Sequence, residues 1–413
     1  MAPSQGSETE TRRIIFNLSF GAFIRDAGQY VIWVIMSVYL SDIRSLPYIS
    51  IGLVFLIAGL ISVPVSTMGG NLIDRIGRRK VAVIIPWTMA FISAALFFLV
   101  FTNASLLAIL SLFIISGPLM SFQYVTMSTI ISDVTFDTQR ISAFSSLRIA
   151  SNVGIGIGLV AGGLLSEFNY AYVFLLSIAG YAAEGIIYYF QIPETSPRHK
   201  STMPETYQKP KFFIPYKDTF FVAISIIISM SWFFSGMFES TLTPLYMSSV
   251  NGFSPFSITI LFALNSAIVI FFQTPLNRIL RNMRDSIRIV LGLFLYAIAY
   301  ALFATTGIYL IVAAAVVILT LGENFGSPAS SALITKIAPE ENRGAYLGFN
   351  SSIGSLVNPF RPLVGTVLLT LTVASPSISW IVLGSVTALL AMIFLAVFRT
   401  LSTRRVKLGL AHI

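Results

Sequence analysis

Long apolar segments recur along the whole chain, and short polar turns separate them. Each segment approaches or exceeds the ~20 residues that a helix needs to cross a bilayer. Soluble helices rarely need such runs, because they keep one face polar. The pattern predicts twelve membrane spans, numbered here in chain order: Ile14–Leu40, Ile49–Gly70, Val81–Phe101, Leu106–Ile131, Ile141–Leu165, Tyr170–Gln191, Asp218–Tyr246, Pro255–Asn277, Ile287–Thr305, Tyr309–Ile334, Gly344–Leu371 and Ile378–Phe398.

A polar stretch, Pro193–Lys217, divides the twelve spans into two groups of six. It has too few apolar residues to build a core of its own, so we interpret it as a linker. The predicted organisation is an N-terminal six-helix bundle over residues 1–192, a cytoplasmic linker over 193–217 and a C-terminal six-helix bundle over 218–413.

The two groups of spans show weak internal similarity. An offset of 207 residues places Gly70 on Asn277, and an offset of 203 places Arg140 on Arg343. Paired repeats with a binding site between them are a known transporter architecture. The predicted fold class is an all-α membrane protein with twelve transmembrane helices in two pseudo-symmetric six-helix halves around a central cavity.

The composition leads to the same class of protein. Hydrophobic residues make up 55% of the 413 residues and charged residues only 10%, whereas soluble domains carry about a quarter charged residues. Cysteine is absent, and His199 and His412 have no metal-ligand spacing. The chain also lacks a phosphate-binding loop of the ATPase type. We therefore expect no cofactor, no metal and no enzymatic activity.

The net charge of +9 reflects topology rather than nucleic-acid binding. Of the 26 lysines and arginines, Arg25, Arg148 and Arg361 lie inside spans and Arg44 lies in the first external loop. The others lie in the tails and in alternate loops, as expected when positive residues stay in the cytoplasm. The prediction is a monomeric, multi-pass protein of the cell membrane with both termini cytoplasmic, partnered by the lipid bilayer and not by nucleic acid.

The turn between spans 2 and 3 is the densest charged motif of the chain. One acid is flanked by glycines and followed by four basic residues, in the sequence GGNLIDRIGRRK. This spacing resembles the motif that the major facilitator superfamily of secondary transporters carries between its second and third helices. The positions that match are Gly70, Asp74, Arg75, Gly77, Arg79 and Lys80.

The resemblance implies a transporter that works by alternating access, with this turn as a conformational latch. Asp74 is expected to meet the cytoplasmic start of span 11 near Gly344, where a helix N-terminus attracts a carboxylate. Either Arg75 or Arg78 is expected to pair with Asp133 at the end of span 4. The alternative is that these charges only fix topology.

The corresponding loop of the second half, Asn277–Arg288, keeps basic residues without the glycines and the acid of the motif. The latch is therefore predicted to be one-sided, because only the first half supplies a charged turn that contacts the other half.

Span 5 carries glycines at every fourth position, Gly154, Gly158 and Gly162. Such a stripe lets two helix backbones approach closely, so we predict a helix-packing face rather than a direct ligand contact. The pattern resembles the antiporter motif of the same family, but Leu159 replaces the proline that follows the second glycine there. This departure weakens an antiporter assignment without affecting the fold.

Ionisable residues inside spans are costly and usually functional. Four acids stand against three bases, so one acid lacks a full partner and burial favours its neutral form. This imbalance is the basis for predicting proton coupling. The ionisable residues inside the spans are Arg25, Asp26, Arg148, Glu184, Glu239, Glu323 and Arg361.

Depth along the spans separates these residues into roles. Glu239 and Arg361 share a half and a similar depth, so we predict an ion pair between them. Asp26 and Glu323 are the main candidates for proton coupling, with Glu239 as a third. Arg25, Arg148 and Arg361 are the candidate charge partners, while the role of Glu184 is left open between structure and transport.

Polar, methionine and aromatic side chains on the inward faces predict a cavity that suits a lipophilic organic molecule. The candidate cavity residues are Gln29, Gln123, Tyr124, Met127, Trp232, Asn265, Asn350 and Asn358. We favour proton-coupled export of small amphipathic organic compounds, with protons and a small-molecule substrate as partners, as in the multidrug-efflux branch of the family. The alternatives are a proton-coupled symporter or facilitator of a metabolite or organic anion, and a non-transporting membrane sensor.

Overall fold

The computed structural model describes residues 5–195, 215–216, 218–305, 307–339 and 342–407. Within these ranges every regular element is a helix. The α-helices are α1 (Gln5–Asp42), α2 (Tyr48–Ile76), α3 (Arg78–Phe101), α4 (Leu106–Val134), α5 (Asp137–Phe168), α6 (Val173–Gln191), α7 (Thr219–Ser235), α8 (Leu242–Ser249), α9 (Pro255–Ile279), α10 (Asp285–Thr305), α11 (Tyr309–Ile337), α12 (Arg343–Val357), α13 (Arg361–Leu371) and α14 (Ser377–Lys407).

Ten helical segments of the described chain are long and apolar enough to cross a membrane. Large apolar side chains stay exposed on them, including Phe91 at 76% and Leu310 at 78%. Contiguous apolar surface of this kind marks contact with lipid rather than with water. The predicted all-helical class is confirmed. The count of twelve spans stays a prediction, because α1 and the helices α12 and α13 are not among the ten segments.

Two of the predicted spans are interrupted. Span 11 breaks at a short 3-10 helix, Asn358–Phe360, between α12 and α13. Pro359 and Pro362 lie at this break, and proline lacks the N–H that would continue an α-helix. Span 7 breaks at a second 3-10 helix, Gly236–Glu239, between α7 and α8.

The described chain divides into two compact units, Met1–Gln208 with Gly252–Ala267, and Lys209–Asn251 with Ile268–Ile413. The predicted boundaries at 192 and 218 are close to this division, except that the first half of α9 belongs to the first unit. Most of the predicted linker, residues 196–214 and 217, lies outside the described residues.

The glycine stripe of α5 packs against α1, inside the first unit. A Cβ atom on Gly154 would meet the carbonyl of Phe23, and one on Gly158 would meet the carbonyl of Ala27. The stripe thus lies at a helix-packing face toward α1, while Gly163 on the same helix lies against Thr259 of α9. The close backbone approach that glycine permits sets the position of α1, the helix that carries Arg25.

The second unit is built around α10, which packs against α11 and α14, while α7 packs against α14. Its largest apolar cluster includes Phe221, Ile228, Leu293, Leu333 and Phe394. Side chains from four helices thus close a single core.

Candidate functional site

A buried charge cluster lies in the first unit, where α1 meets α6. Arg25 forms two contacts with Asp26, at 2.8 Å from Nε to Oδ1 and 3.0 Å from Nη2 to Oδ2. Its Nη1 also lies 3.1 Å from Oε1 of Glu184. One guanidinium therefore pairs with two carboxyl groups, away from bulk water. We call Arg25, Asp26 and Glu184 the Arg25 cluster.

Glu184 is the member that the sequence left without a role. Its side chain is 0% exposed, and Oε2 has no hydrogen-bond partner among the described residues. α1 and α6 bring it to Arg25 by close backbone contact. A Cβ on Gly180 would lie 2.7 Å from the carbonyl of Ile24, and one on Gly28 would meet the backbone of Leu176. These two glycines were the sequence signal for the pairing.

Methionines and polar amides form the wall beside the cluster. Arg25 Nη1 donates to the sulfur of Met127 at 2.9 Å. Gln29 and Trp33 both donate to the sulfur of Met120, at 3.1 and 3.3 Å. Gln123 is buried with both amide atoms unpartnered by described residues. Three predicted cavity residues, Gln29, Gln123 and Met127, thus lie at one site.

Other residues predicted for this part of the chain lie elsewhere. Tyr124 is 62% exposed, on a different face of α4 from buried Gln123. Arg148 is exposed on α5 and forms no ion pair with a described residue, so it is not a partner of the Arg25 cluster. Asn265 is half-buried on α9.

In the second unit, the predicted ion pair between Glu239 and Arg361 is not formed. Glu239 is exposed on the 3-10 helix, whereas Arg361 Nη2 donates to the carbonyl of Trp232 at 2.8 Å. The guanidinium crosses the chain at Gly236, where a Cβ would collide with it. The two helix breaks therefore meet at Arg361. Its guanidinium donates a hydrogen bond to a backbone carbonyl instead of pairing with a carboxylate.

A second set of polar side chains lies near this arginine. Tyr296 of α10 is within electrostatic reach of Glu323, Glu239 and Arg361. The Trp232 indole donates to Ser330 at 3.0 Å.

The remaining cavity candidates of this unit lie on α12 and at its end. Asn350 is half-buried, with its Oδ1 unpartnered by described residues. Asn358 is exposed at the start of the 3-10 helix that separates α12 from α13.

The charged turn between α2 and α3 forms a network within the first unit. Arg78 is buried and binds Asp74 at 3.0 Å and Asp133 at 2.5 Å. Arg75 is exposed. Of the two residues expected to pair with Asp133, Arg75 and Arg78, it is therefore Arg78 that forms the pair. The contact of Asp74 with the start of span 11 would join the two units, and it stays a prediction.

The sequence reasoning missed Glu194, which completes this network. Its carboxylate accepts the backbone N–H groups of Arg78 at 2.9 Å and Arg79 at 3.2 Å, so it caps the N-terminus of α3. Gly77 precedes that end with φ of 105°, and a Cβ there would lie 2.9 Å from Glu194 Oε2. Thr195 adds a hydrogen bond to Asp133 at 2.8 Å.

The loop between α9 and α10 carries an ion pair of its own. Asp285 Oδ2 lies 2.5 Å from Nζ of Lys336, near the end of α11. At the offset of 207, the position that corresponds to Asp74 is Arg281, so the acid of the motif is absent there. An acid stands instead at 285, the position that aligns with Arg78 at the offset of 207.

Long apolar helices, buried charges within them and neighbouring polar and methionine side chains are the features of a multi-pass membrane protein. The part of the chain that the structure describes shows no cluster of His, Cys, Asp or Glu able to hold a metal ion. The model of the Major Facilitator Superfamily matches residues 18–320 and 288–411. The chain belongs to this family of secondary transporters, whose members are not enzymes.

Several relatives are uncharacterised or multidrug transporters. The chain is 25% identical over 365 residues to the uncharacterized MFS-type transporter YttB of Bacillus subtilis, which covers 85% of this chain and 87% of the relative. It is 27% identical over 321 residues to Multidrug resistance protein 1 of Bacillus subtilis, covering 76% of this chain and 78% of the relative.

Solved structures show the same fold. The nucleoside transporter NupG, as a mutant, has a TM-score of 0.74 at 14% identity, covering 93% of this chain and 100% of that one. The peptide transporter POT, as a mutant in complex with sulfate, has a TM-score of 0.75 at 15% identity, covering 96% of this chain and 99% of that one.

Proposed function

We propose that this protein exports small amphipathic organic compounds in exchange for protons. In this proposal, twelve spans form two six-helix halves that alternate in access around a central substrate site. The protein lies in the cell membrane as a monomer with both termini in the cytoplasm.

The observation that carries the proposal is the Arg25 cluster. A site with two carboxyl groups and one guanidinium carries a formal charge of −1 when fully ionised, so it can take up one proton to become neutral. The methionines and Trp33 beside it offer polarisable and apolar surface to an organic molecule. The names of the relatives Multidrug resistance protein 1 and Multidrug resistance protein 2 favour the same class of substrate.

Reconstitution of the full chain in liposomes with an imposed pH gradient tests this function. Accumulation of lipophilic cations from a mixed panel should follow the gradient and collapse when a protonophore dissipates it. Glu323→Gln should weaken the coupling, because Glu323 is the proposed proton residue of the second unit. Glu10→Gln, at an exposed acid of the N-terminal segment, is the matched control. Transport that ignores the pH gradient would contradict proton coupling.

The turn between α2 and α3 is proposed as the conformational latch. Asp74→Asn removes the charge that is expected to hold the start of span 11, so it should raise the inward-open population. Because the chain contains no cysteine, a single cysteine introduced on the cytoplasmic side reports accessibility directly. Equal labelling rates in the variant and the parent would mean that Asp74 only fixes topology.

Arg361 favours a second candidate function, the uptake of an organic anion. Its guanidinium has no carboxylate partner among the described residues, and its Nε is buried without a hydrogen bond there. Arg361→Ala should abolish anion uptake while leaving cation export in place. Exposed Arg148→Ala is the control, and a panel in which no anion is transported would exclude this candidate.

A further inference from the structure

We propose that Glu184 holds the exchanged proton of the Arg25 cluster, with Asp26 as the fixed counter-ion of Arg25, and that a cationic substrate replaces this proton. The inference rests on the proposed function, which it deepens. It assigns the proton site of the first unit to Glu184 on α6 instead of Asp26 on α1.

The two carboxyl groups are held in different ways. Asp26 receives two hydrogen bonds from Arg25, at 2.8 and 3.0 Å, in a bidentate pair. Such pairs are the strongest that a guanidinium forms with a carboxylate. Glu184 receives a single contact from Arg25, at 3.1 Å on Oε1, and no guanidinium nitrogen bonds its Oε2. A proton on Oε2 therefore breaks no bond to Arg25, whereas a proton on Asp26 would disrupt the bidentate pair.

The surroundings of Glu184 supply no second cation among the described residues. From α1 it faces Arg25 and Asp26, and from its own helix it faces Tyr188 and Tyr181. The Tyr188 hydroxyl donates to the backbone carbonyl of Leu18 at 3.2 Å.

The neighbouring helices add no charge to this environment. From α4, Gln123 and Met127 lie against the cluster. From α3, the Trp87 indole lies beside Gly185. α5 reaches α1 through the glycine stripe. A positive charge brought close to Glu184 would thus meet a carboxyl that is only partly neutralised by Arg25.

The proposed exchange is a simple proton transfer. The O–H bond on Glu184 Oε2 breaks, the proton passes to water, and the carboxylate keeps the electron pair. The formal charge of the cluster changes from 0 to −1, with no oxidation or reduction. A cationic amphipathic molecule restores neutrality when it binds, because opposite charges attract strongly where water is excluded. Reprotonation of Glu184 then releases it.

Infrared difference spectroscopy of the reconstituted, ligand-free protein tests the assignment directly. Raising the pH should remove the carbonyl band of a protonated carboxylic acid. In the Glu323→Gln background, which removes the proton residue proposed for the second unit, that band should be absent from Glu184→Gln, while the exposed-site control Glu10→Gln should keep it. A band that survives in Glu184→Gln in this background would overturn the proposal.

A second variant covers the case in which Glu184→Gln does not fold. Glu184→Asp shortens the side chain and draws the carboxyl away from Arg25, so the midpoint of the titration should move. An unchanged midpoint would rule out Glu184 as the titrating group.

The substrate half of the inference is measured with ethidium as the probe cation. Ethidium binding to the detergent-solubilised parent should release protons into weak buffer, and Glu184→Gln should lose this release. Binding without proton release in the parent would contradict the exchange. If wild-type liposomes show no gradient-driven transport although the infrared band titrates on Glu184, the proposed function fails and the proton assignment stands.

Discussion

The turn between α2 and α3 and the turn between α9 and α10 carry ion pairs of reversed polarity, at positions that the internal sequence offsets relate. In the first unit, Arg78 binds Asp133 near the end of α4 at 2.5 Å. In the second, Asp285 binds Lys336 near the end of α11, also at 2.5 Å. An offset of 207 residues relates Arg78 to Asp285, and the offset of 203 relates Asp133 to Lys336. The pairing is thus repeated while its polarity is reversed.

The two pairs differ in how much surrounds them. The side chain of Arg78 is 7% exposed and also binds Asp74 and the carbonyl of Thr195, whereas the side chain of Lys336 is 65% exposed. A buried charge within a network is costly to leave without its partner, while an exposed pair is screened by water. Both turns thus contain a contact between oppositely charged side chains. In the first turn this contact lies within a buried network, whereas in the second turn one partner is mostly exposed.

The largest effect is expected from breaking the first pair. Arg78→Met keeps the approximate length of the side chain but removes its contacts with Asp133, with Asp74 and with the carbonyl of Thr195. A loss of about 3–5 kcal/mol in unfolding free energy is expected when one partner of a buried ion pair is removed. Thermal unfolding of the purified protein in detergent measures it.

Arg75→Met serves as the control, because Arg75 is exposed on the same turn. It should change the melting temperature little. Equal destabilisation by the two variants would mean that the network around Arg78 does not stabilise the fold.

The sequence predicted the fold class and the first turn, but not the second pair. Hydropathy locates spans because lipid demands long apolar helices. The resemblance to a family motif singled out Asp74 and Arg78 by residue type. A motif defined by residue type does not identify Asp285, because the charges of this pair are reversed relative to Arg78 and Asp133.

The charge cluster was predicted in part, for a related reason. Arg25 and Asp26 stood out as charges inside an apolar span. Glu184 also stood out, but its role stayed open between structure and transport. The approach of α1 to α6 through Gly28 and Gly180 depends on packing that the hydropathy pattern does not encode.

A smaller effect is expected at the glycine that begins α3. Gly77 has φ of 105°, a backbone conformation that costs other residues about 1–3 kcal/mol. Gly77→Ala also pushes a Cβ toward the Glu194 carboxylate that caps α3. The variant should unfold at lower temperature, and amide hydrogen exchange should rise over the first turn of α3.

Gly70→Ala provides the matched control for this change. Gly70 lies inside α2, and a Cβ there would meet nothing within 4 Å. Alanine favours the helix over glycine, so the control should be neutral or slightly stabilising. Destabilisation by Gly70→Ala and not by Gly77→Ala would contradict the strained conformation of the turn.

The smallest effect on stability is expected at the pair of Asp285 and Lys336. Changes there test most directly how this pair differs from that of Arg78 and Asp133. Lys336→Asp places two acids together, and Asp285→Lys places two bases together. Each single change should cost less than Arg78→Met, because Lys336 is 65% exposed and its charge is partly screened, although its partner Asp285 is only 9% exposed. The double variant Asp285→Lys with Lys336→Asp gives this pair the polarity of Arg78 and Asp133. It should be more stable than the sum of the single changes predicts, since it restores opposite charges at the contact. If the double variant loses as much stability as the two single variants together, the second pair depends on its present polarity and not only on the contact.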